Sequence, residues 1–241
     1  MSGHSKWANI KRKKEANDKV KSNVFAKASR LITMAVIEGG GLTDPEHNVK
    51  LRFAIEKAKQ DNMPKENIAR AIEKGSGPDK ASLSHVRFEA FGPGGASLLI
   101  LGTTDNNNRT HAGVRNIIEK YGGKMGSLGS VAYLFNQTGV ITFNRAENNE
   151  DDVFAFAERM DGNDIEEDEH SITVYIPYDK MHGVKEQIGT LKASEPEVIF
   201  ASSSTIPLDK HDSDKLIDLI QALEDHDDIH EVFTNASFAE E

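Results

Sequence analysis

Seven cations crowd the start of the chain: Lys6, Lys11, Arg12, Lys13, Lys14, Lys19 and Lys21, with Trp7 and Asn9 set among them. Cations at this density neutralise phosphates and release counterions, and an indole beside them can stack on an unpaired base. Trp7 has a second use, since with Ile10 it can pin the arm against a helical core. Both roles stay open at this level.

A second set of polar residues, "TTDNNNRTH", runs from Thr103 to His111 and opens a helix. One Asx side chain is enough to cap that helix, and Asn108 or an earlier Asp or Asn can do it. Asp105, Asn106, Asn107, Asn108, Arg109 and Thr110, with Arg115 a turn later, offer more donors and acceptors than a cap consumes. They can grip a sugar-phosphate or a protein loop.

The glycines of "GPGG", Gly92, Gly94 and Gly95, form a third candidate contact. This segment leads into a strand and lacks the Lys-Ser/Thr of a phosphate loop. It therefore reads as a hairpin turn needing positive φ, whose bare backbone can also meet a ligand.

The enzymatic signatures fail on context. "DGNDIEEDEH" puts its glycine at the wrong place for a calcium loop. His226 and His230, four apart among Asp225, Asp227 and Asp228, lack the helical HExxH setting and read as surface residues. No GxSxG elbow occurs, and no Ser/His/Asp set is nominated. The absence of cysteine excludes disulfides, thiolate metal sites and cysteine nucleophiles. Neither an enzyme nor a cofactor or metal is expected.

The elements that must carry these groups follow from periodicity. Val24, Ala28, Leu31, Ile32, Ala35 and Val36 recur at helical spacing until Gly39–Gly41. A second helix is expected from Asp44 as N-cap with Pro45 at its first position, burying Leu51, Ala54, Ile55 and Ala58. A third follows Pro64 and ends at Gly75, and "GSGPDK" is a linker. The second and third helices could form a helix-turn-helix, but Lys65, Glu66, Asn67, Arg70, Glu73 and Lys74 mix signs, which suits a negative groove poorly.

From residue 82 the period changes to two. "HVRFEAF" and "ASLLILG" read as a hairpin, a helix buries Val114, Ile117, Ile118 and Tyr121, and "KMGSLGSVAYLF" reads as another short hairpin. Then come strand "GVITF", helix 150–161, a strand near Ile165, strand "SITVYIP", helix 179–192 and strand "EVIFAS", a β-α-β-β-α-β order. A last helix and the strand "IHEVFT" return to complete the preceding unit. The predicted class is α+β: an N-terminal three-helix bundle and two ferredoxin-like domains, the third domain inserted into the second. The expected domains are 1–80, 81–137 with 206–241, and 138–205.

Charge divides along the same lines. The net charge is −10, yet residues 1–80 hold 17 Lys and Arg against 10 Asp and Glu, and residues 81–241 hold 12 against 29. Segregation of this kind speaks to partners. Its mundane alternative is that the basic end docks on the acidic remainder of the same molecule. No apolar run is long enough for a membrane span, no apolar segment follows the cationic start as in a secretory signal, and Ser2 stands where myristoylation needs glycine. A cytoplasmic location is expected.

"GHSKWANIKRKKEANDKVKSNVFAK", "GGGLTDPEHNVKLRFAIEKAKQDNMPKENIARAI", "FGPGG", "TDNNNRTHAGVRNIIEKYGGKMGSLGSVAYLF" and "LIDLIQALEDHDDIHEVFTNA" together resemble the signature segments of the YebC family, which includes the mitochondrial translational activator of cytochrome oxidase. The resemblance spans essentially the whole chain. It implies three domains around a crevice and a non-enzymatic role in gene expression, either as a DNA-binding transcriptional regulator or as a ribosome-associated, RNA-binding factor that carries translation through proline-rich stretches. The family's nucleic-acid contact maps best onto Lys6, Trp7, Asn9 and residues 11–14. Asn107 stands where the family commonly has a second arginine, and "FEAFGPGG" replaces a tyrosine-bearing version, which weakens the Thr103–Thr110 loop as a phosphate grip. The expected partner is DNA or ribosomal RNA, and the ribosome or a basic protein can meet the acidic domains. A protein-binding adaptor is the reading from another class.

Overall fold

The structure, a computed structural model, describes residues 21–77 and 83–238. These fall into two compact units. The larger comprises described residues up to Ala132 together with Leu208–Thr234, and the smaller comprises Tyr133–Pro207 with Asn235–Phe238.

The larger unit begins with helices α1 (Lys21–Glu38), α2 (Val49–Gln60) and α3 (Lys65–Ser76). Ile32, Val36, Leu51, Ile55, Ala58, Ile68 and Ala71 interlock as their core, as the helical spacing predicts. The start of α2 differs from expectation. Asn48, not Asp44, is the N-cap: its Oδ1 accepts the Leu51 N–H at 3.1 Å, and its Nδ2 donates to the Ala35 carbonyl at 2.9 Å. Asp44 instead closes a turn, accepting from the Glu46 N–H at 2.9 Å. An Asx residue whose amide also ties back to α1 outcompetes one that satisfies a single local amide.

Next comes a four-stranded antiparallel sheet in the order β3-β1-β2-β9: β1 (Ser84–Phe91), β2 (Ser97–Thr104), β3 (Lys124–Met125) and β9 (Ile229–Thr234). Strands β1 and β2 form the expected hairpin, pairing from Ser84↔Thr104 to Phe91↔Ser97. Helices α4 (Asn107–Lys120) and α7 (Lys210–Glu224) belong to this unit. Val114, Ile118, Leu216, Leu219, Ile220 and Leu223 are fully buried, the apolar stripe each helix must hide.

"KMGSLGSVAYLF" does not form a second hairpin. Lys124–Met125 pairs with β1, and the chain enters the other unit's sheet at Phe135. The cause is a side chain: Glu89 takes the N–H groups of Gly129, Val131 and Ala132.

In the smaller unit β4 (Phe135–Asn144), α5 (Glu150–Arg159), β5 (Asp164–Glu167), β6 (Ser171–Pro177), α6 (Val184–Ile188) and β7 (Glu197–Ser202) follow the β-α-β-β-α-β order. The antiparallel sheet runs β5-β6-β4-β7, the ferredoxin-like arrangement. Phe143 and Phe156 meet edge to face at 5.1 Å inside its core. The expected helix 179–192 is broken into a 3-10 turn, Tyr178–Met181, and the short α6, because Gly183 adopts φ +81° between them. Two-residue strands β8 (Ile206–Pro207) and β10 (Ala236–Ser237) pair in parallel within the same unit.

Candidate nucleic-acid interface

Of the cationic arm, Lys6, Trp7, Asn9, Lys11, Arg12, Lys13, Lys14 and Lys19 lie outside the described residues. Lys21 is the first residue of α1. The described candidates belong to the larger unit.

The Thr103–Thr110 segment leaves β2 and enters α4. Asn106 is the N-cap, accepting the Arg109 N–H at 3.1 Å, while its own N–H donates to the Thr104 hydroxyl at 2.9 Å. Capping therefore uses an earlier residue than Asn108. Thr103, Thr104 and Thr110 are fully buried. Asp105, Asn106, Asn107, Asn108 and Arg109 are exposed.

The segment is organised around Asp228, which sits just before β9 and is 1% exposed. Its carboxylate accepts from the Thr110 hydroxyl at 2.6 Å, from Arg109 Nη2 at 3.2 Å and from Arg30 Nη1. Arg30 also donates to the Thr103 carbonyl at 3.1 Å, and the Thr103 N–H donates to the Asp228 carbonyl at 2.9 Å. Burial pushes the Asp228 carboxyl up, but Thr110, Arg30 and Arg109 outweigh it and hold the group down at about 2. Gly102 permits this approach, since a Cβ there would collide with the Asp228 carbonyl oxygen.

Sequence reading missed Asp228 and Arg30. Asp228 looks like one of four acidic residues in "EDHDD", and Arg30 lies 198 positions away from it. No local pattern links residues so far apart.

Arg109 also donates to Asp105 at 2.6 Å, and Arg115 pairs with Glu119 at 2.7 Å along α4. The loop is thus largely self-satisfied. What it offers a partner is Asn107, Asn108 and the outer edge of Arg109.

The GPGG turn has positive φ at Gly94 (+64°) and Gly95 (+77°), as a turn of this kind requires. Gly92 and Pro93 are buried, with Gly92 close to Leu216 and Leu219 of α7, while Gly94 and Gly95 are exposed.

Some of the basic charge of the helical segment is used internally. Besides Arg30, Lys27 donates to the Glu224 carbonyl and Lys57 lies 3.8 Å from Glu231. His230 on β9 sits near these cations, with both ring nitrogens buried and without a hydrogen-bond partner among the described residues. Burial, then the charges of Lys27 and Arg30, push its imidazole down to about 4. Arg52, Lys59, Lys65 and Lys74 form no ion pair among the described residues. In that same part, no helix is long and apolar enough to cross a membrane.

Two family models cover this chain: the TACO1/YebC protein N-terminal domain matches residues 5–78, and the TACO1/YebC second and third domain matches residues 83–236. The chain belongs to the TACO1/YebC family. Among relatives in the TACO1/YebC family, a probable transcriptional regulatory protein of Caldanaerobacter subterraneus subsp. tengcongensis is 40% identical over 245 residues, covering 100% of both chains. One of Thermoanaerobacter pseudethanolicus is 40% identical over 245 residues, covering 100% of this chain and 99% of the relative. The TACO1/YebC fold is also seen in the crystal structure of a conserved hypothetical protein from Aquifex aeolicus. It has a TM-score of 0.81 and 35% identity and covers 93% of each chain.

Proposed function

We propose that this protein is a non-enzymatic regulator of gene expression that binds nucleic acid. The primary contact is the arm: Lys6, Trp7, Asn9, Lys11, Arg12, Lys13, Lys14, Lys19 and Lys21. The exposed parts of the Thr103–Thr110 loop, with Arg115 and the GPGG turn, form the secondary contact. In this reading the segments 1–80, 81–137 with 206–241, and 138–205 act as three domains, and the basic first domain carries the polyanion.

The observation that carries the reading is charge segregation, 17 Lys and Arg against 10 Asp and Glu in residues 1–80 of a chain whose net charge is −10. The names of the relatives, probable transcriptional regulatory proteins, support the regulatory part. DNA and ribosomal RNA present the same phosphates, so a ribosome-associated role in translation is the same electrostatic contact on a different polymer.

The test is salt dependence. An arm making about six phosphate contacts loses roughly a thousandfold in affinity between low and moderate salt. Alanine at Lys11, Arg12, Lys13 and Lys14 flattens the slope of log K against log salt by about 3 to 4. An unchanged slope rejects the arm as the contact. Crosslinking in cells, followed by sequencing of the recovered strand, separates DNA from RNA.

A second reading has its own observation. Residues 133–207 hold 15 Asp and Glu against 5 Lys and Arg, so the smaller unit suits a basic protein partner. Partners retained after nuclease treatment favour it.

A further inference from the structure

The loop from Gly126 to Ala132 is held by one buried residue. Glu89 on β1 is 2% exposed. Its Oε1 accepts the Gly129 N–H at 2.8 Å, and its Oε2 accepts those of Val131 at 2.7 Å and Ala132 at 2.9 Å. Its carbonyl accepts the Gly126 N–H at 2.8 Å, so both ends of the loop are tied to the same residue. Within the loop the Ser130 N–H returns to the Ser127 carbonyl at 3.0 Å. Burial pushes the Glu89 carboxyl up, but the three amides, with the charge of Arg87, more than offset it and keep it ionised.

A buried carboxylate is a costly way to order a loop, and it leaves an apolar side chain in water: Leu128, at the tip, is 79% exposed. A single exposed leucine is ordinary. One held out on a loop braced from a strand whose same face carries cations is a different matter. Arg87 lies on the same face of β1 two residues before Glu89, and Lys124 opens β3. Both are exposed, and neither forms an ion pair among the described residues.

We propose that this loop is a rigid apolar wedge that enters an unstacked base step of a bound nucleic acid through Leu128, with Arg87 and Lys124 on the flanking phosphates and Glu89 as the positioning residue. The proposal rests on the nucleic-acid reading above and adds a second site to it. Arg87 and Lys124, on the same face of the sheet as Glu89 by the β1–β3 register, favour a polyanion with apolar faces inside it, which a base step is and an apolar protein pocket is not. The rigidity matters because an ordered wedge loses little entropy on insertion.

The experiment uses the full chain and labelled single strands of about 20 nucleotides, one RNA and one DNA of the same sequence. Leu128→Ala, a change at an exposed position that leaves folding intact, weakens binding about tenfold by removing buried methyl and methylene groups from the complex. The salt slope stays that of the wild type, because no charge has changed. Glu89→Gln weakens binding by a comparable factor and speeds amide exchange at Gly129, Val131 and Ala132.

A loss confined to RNA or to DNA identifies the strand and supports the proposal in either case. Full affinity in Leu128→Ala with an intact salt slope overturns the wedge while leaving the arm in place. Faster exchange in Glu89→Gln without loss of affinity overturns the positioning role. Absence of salt-dependent binding in the wild type removes the nucleic-acid reading itself, a result the variant cannot mimic.

Discussion

His230 predicts a pH dependence whose sign and size follow from its surroundings. Its imidazole is buried on β9 with neither nitrogen partnered among the described residues, and Lys27, Arg30, His85 and Lys57 all oppose a positive charge there. The folded protein holds this group at about 4, against an ordinary value of 6.5. Above pH 6.5 both folded and unfolded chains carry it neutral, and it costs nothing. As pH falls below 6.5 the unfolded chain takes up a proton that the folded one refuses, so stability is lost progressively down to about pH 4. At pH 4.5 the differential is roughly 2 to 3 kcal/mol, the two pH units of unequal proton uptake between the folded and unfolded chains.

The perturbation is His230→Leu, which removes the titration and two unpartnered polar atoms. Urea unfolding followed by circular dichroism at pH 7.5 and pH 4.5, on wild type and variant, gives a double difference in which the other titrating groups cancel. The variant gains about 2 to 3 kcal/mol on the wild type between the two pH values, and is already the more stable at pH 7.5, where an unsatisfied polar group costs about 1 to 3 kcal/mol. Glu38, Lys50 and His85 form a network, with His85 on Glu38 at 2.8 Å, that is present in both proteins. Parallel pH dependence in the two proteins refutes the reasoning, for it means the imidazole is hydrated or partnered.

The other predictions concern packing and the buried carboxylate. Asp228→Asn leaves Arg30 without its counter-charge and Arg109 with Asp105 alone, and costs about 3 kcal/mol in the same unfolding measurement. In the wild type the stability due to the lowered Asp228 carboxyl is present above about pH 4 and is lost as pH falls towards 2, a loss the Asn variant does not show. Gly102→Ala forces a Cβ against the Asp228 carbonyl and lowers the melting temperature of the larger unit, more than the same change at exposed Gly122, where a Cβ meets no atom and only the φ of +80° is strained. Phe156→Ala empties the centre of the smaller unit and costs about 3 to 5 kcal/mol, read as lost amide protection in β4 and β6 with α1–α3 unaffected.

Much of the architecture is written locally. The three-to-four spacing of Ile32, Val36, Leu51 and Ile55 predicts helices that bury those residues, and they do. The β1–β2 hairpin follows from alternation on either side of Gly92–Gly95. What local pattern could not supply was competition between groups. Asn48 displaced Asp44 because its amide reaches α1, and the hairpin expected at 124–135 was lost because Glu89 claims its amides. At the candidate site, the polar richness of Asp105–Thr110 was legible, but its use was not. Asp228 and Arg30 reach that loop from distant parts of the chain, and sequence spacing carries no trace of such a contact.

That internal use decides which parts of the loop a phosphate can recruit. Arg109 is half exposed and divides itself between Asp105 and Asp228, whereas Arg30 is mostly covered and bonds both Asp228 and the Thr103 carbonyl. A phosphate approaching from solvent therefore meets Arg109 first. Turning Arg109 outward leaves Asp228 still held by Arg30 and Thr110, so the buried charge is not orphaned and the cost stays small. Drawing Arg30 away leaves the carboxylate with two threonine hydroxyls and Arg109 at 3.2 Å, all on one oxygen, which the burial of Asp228 makes expensive. The loop can thus lend one arginine to a polyanion and no more, while the remainder of the cluster holds the start of α4 in place. If the arm is the primary contact, as proposed, a secondary contact of that strength orients the captured strand, and Arg109→Lys, which keeps the charge but loses the fork, shifts specificity or register more than it shifts the salt slope.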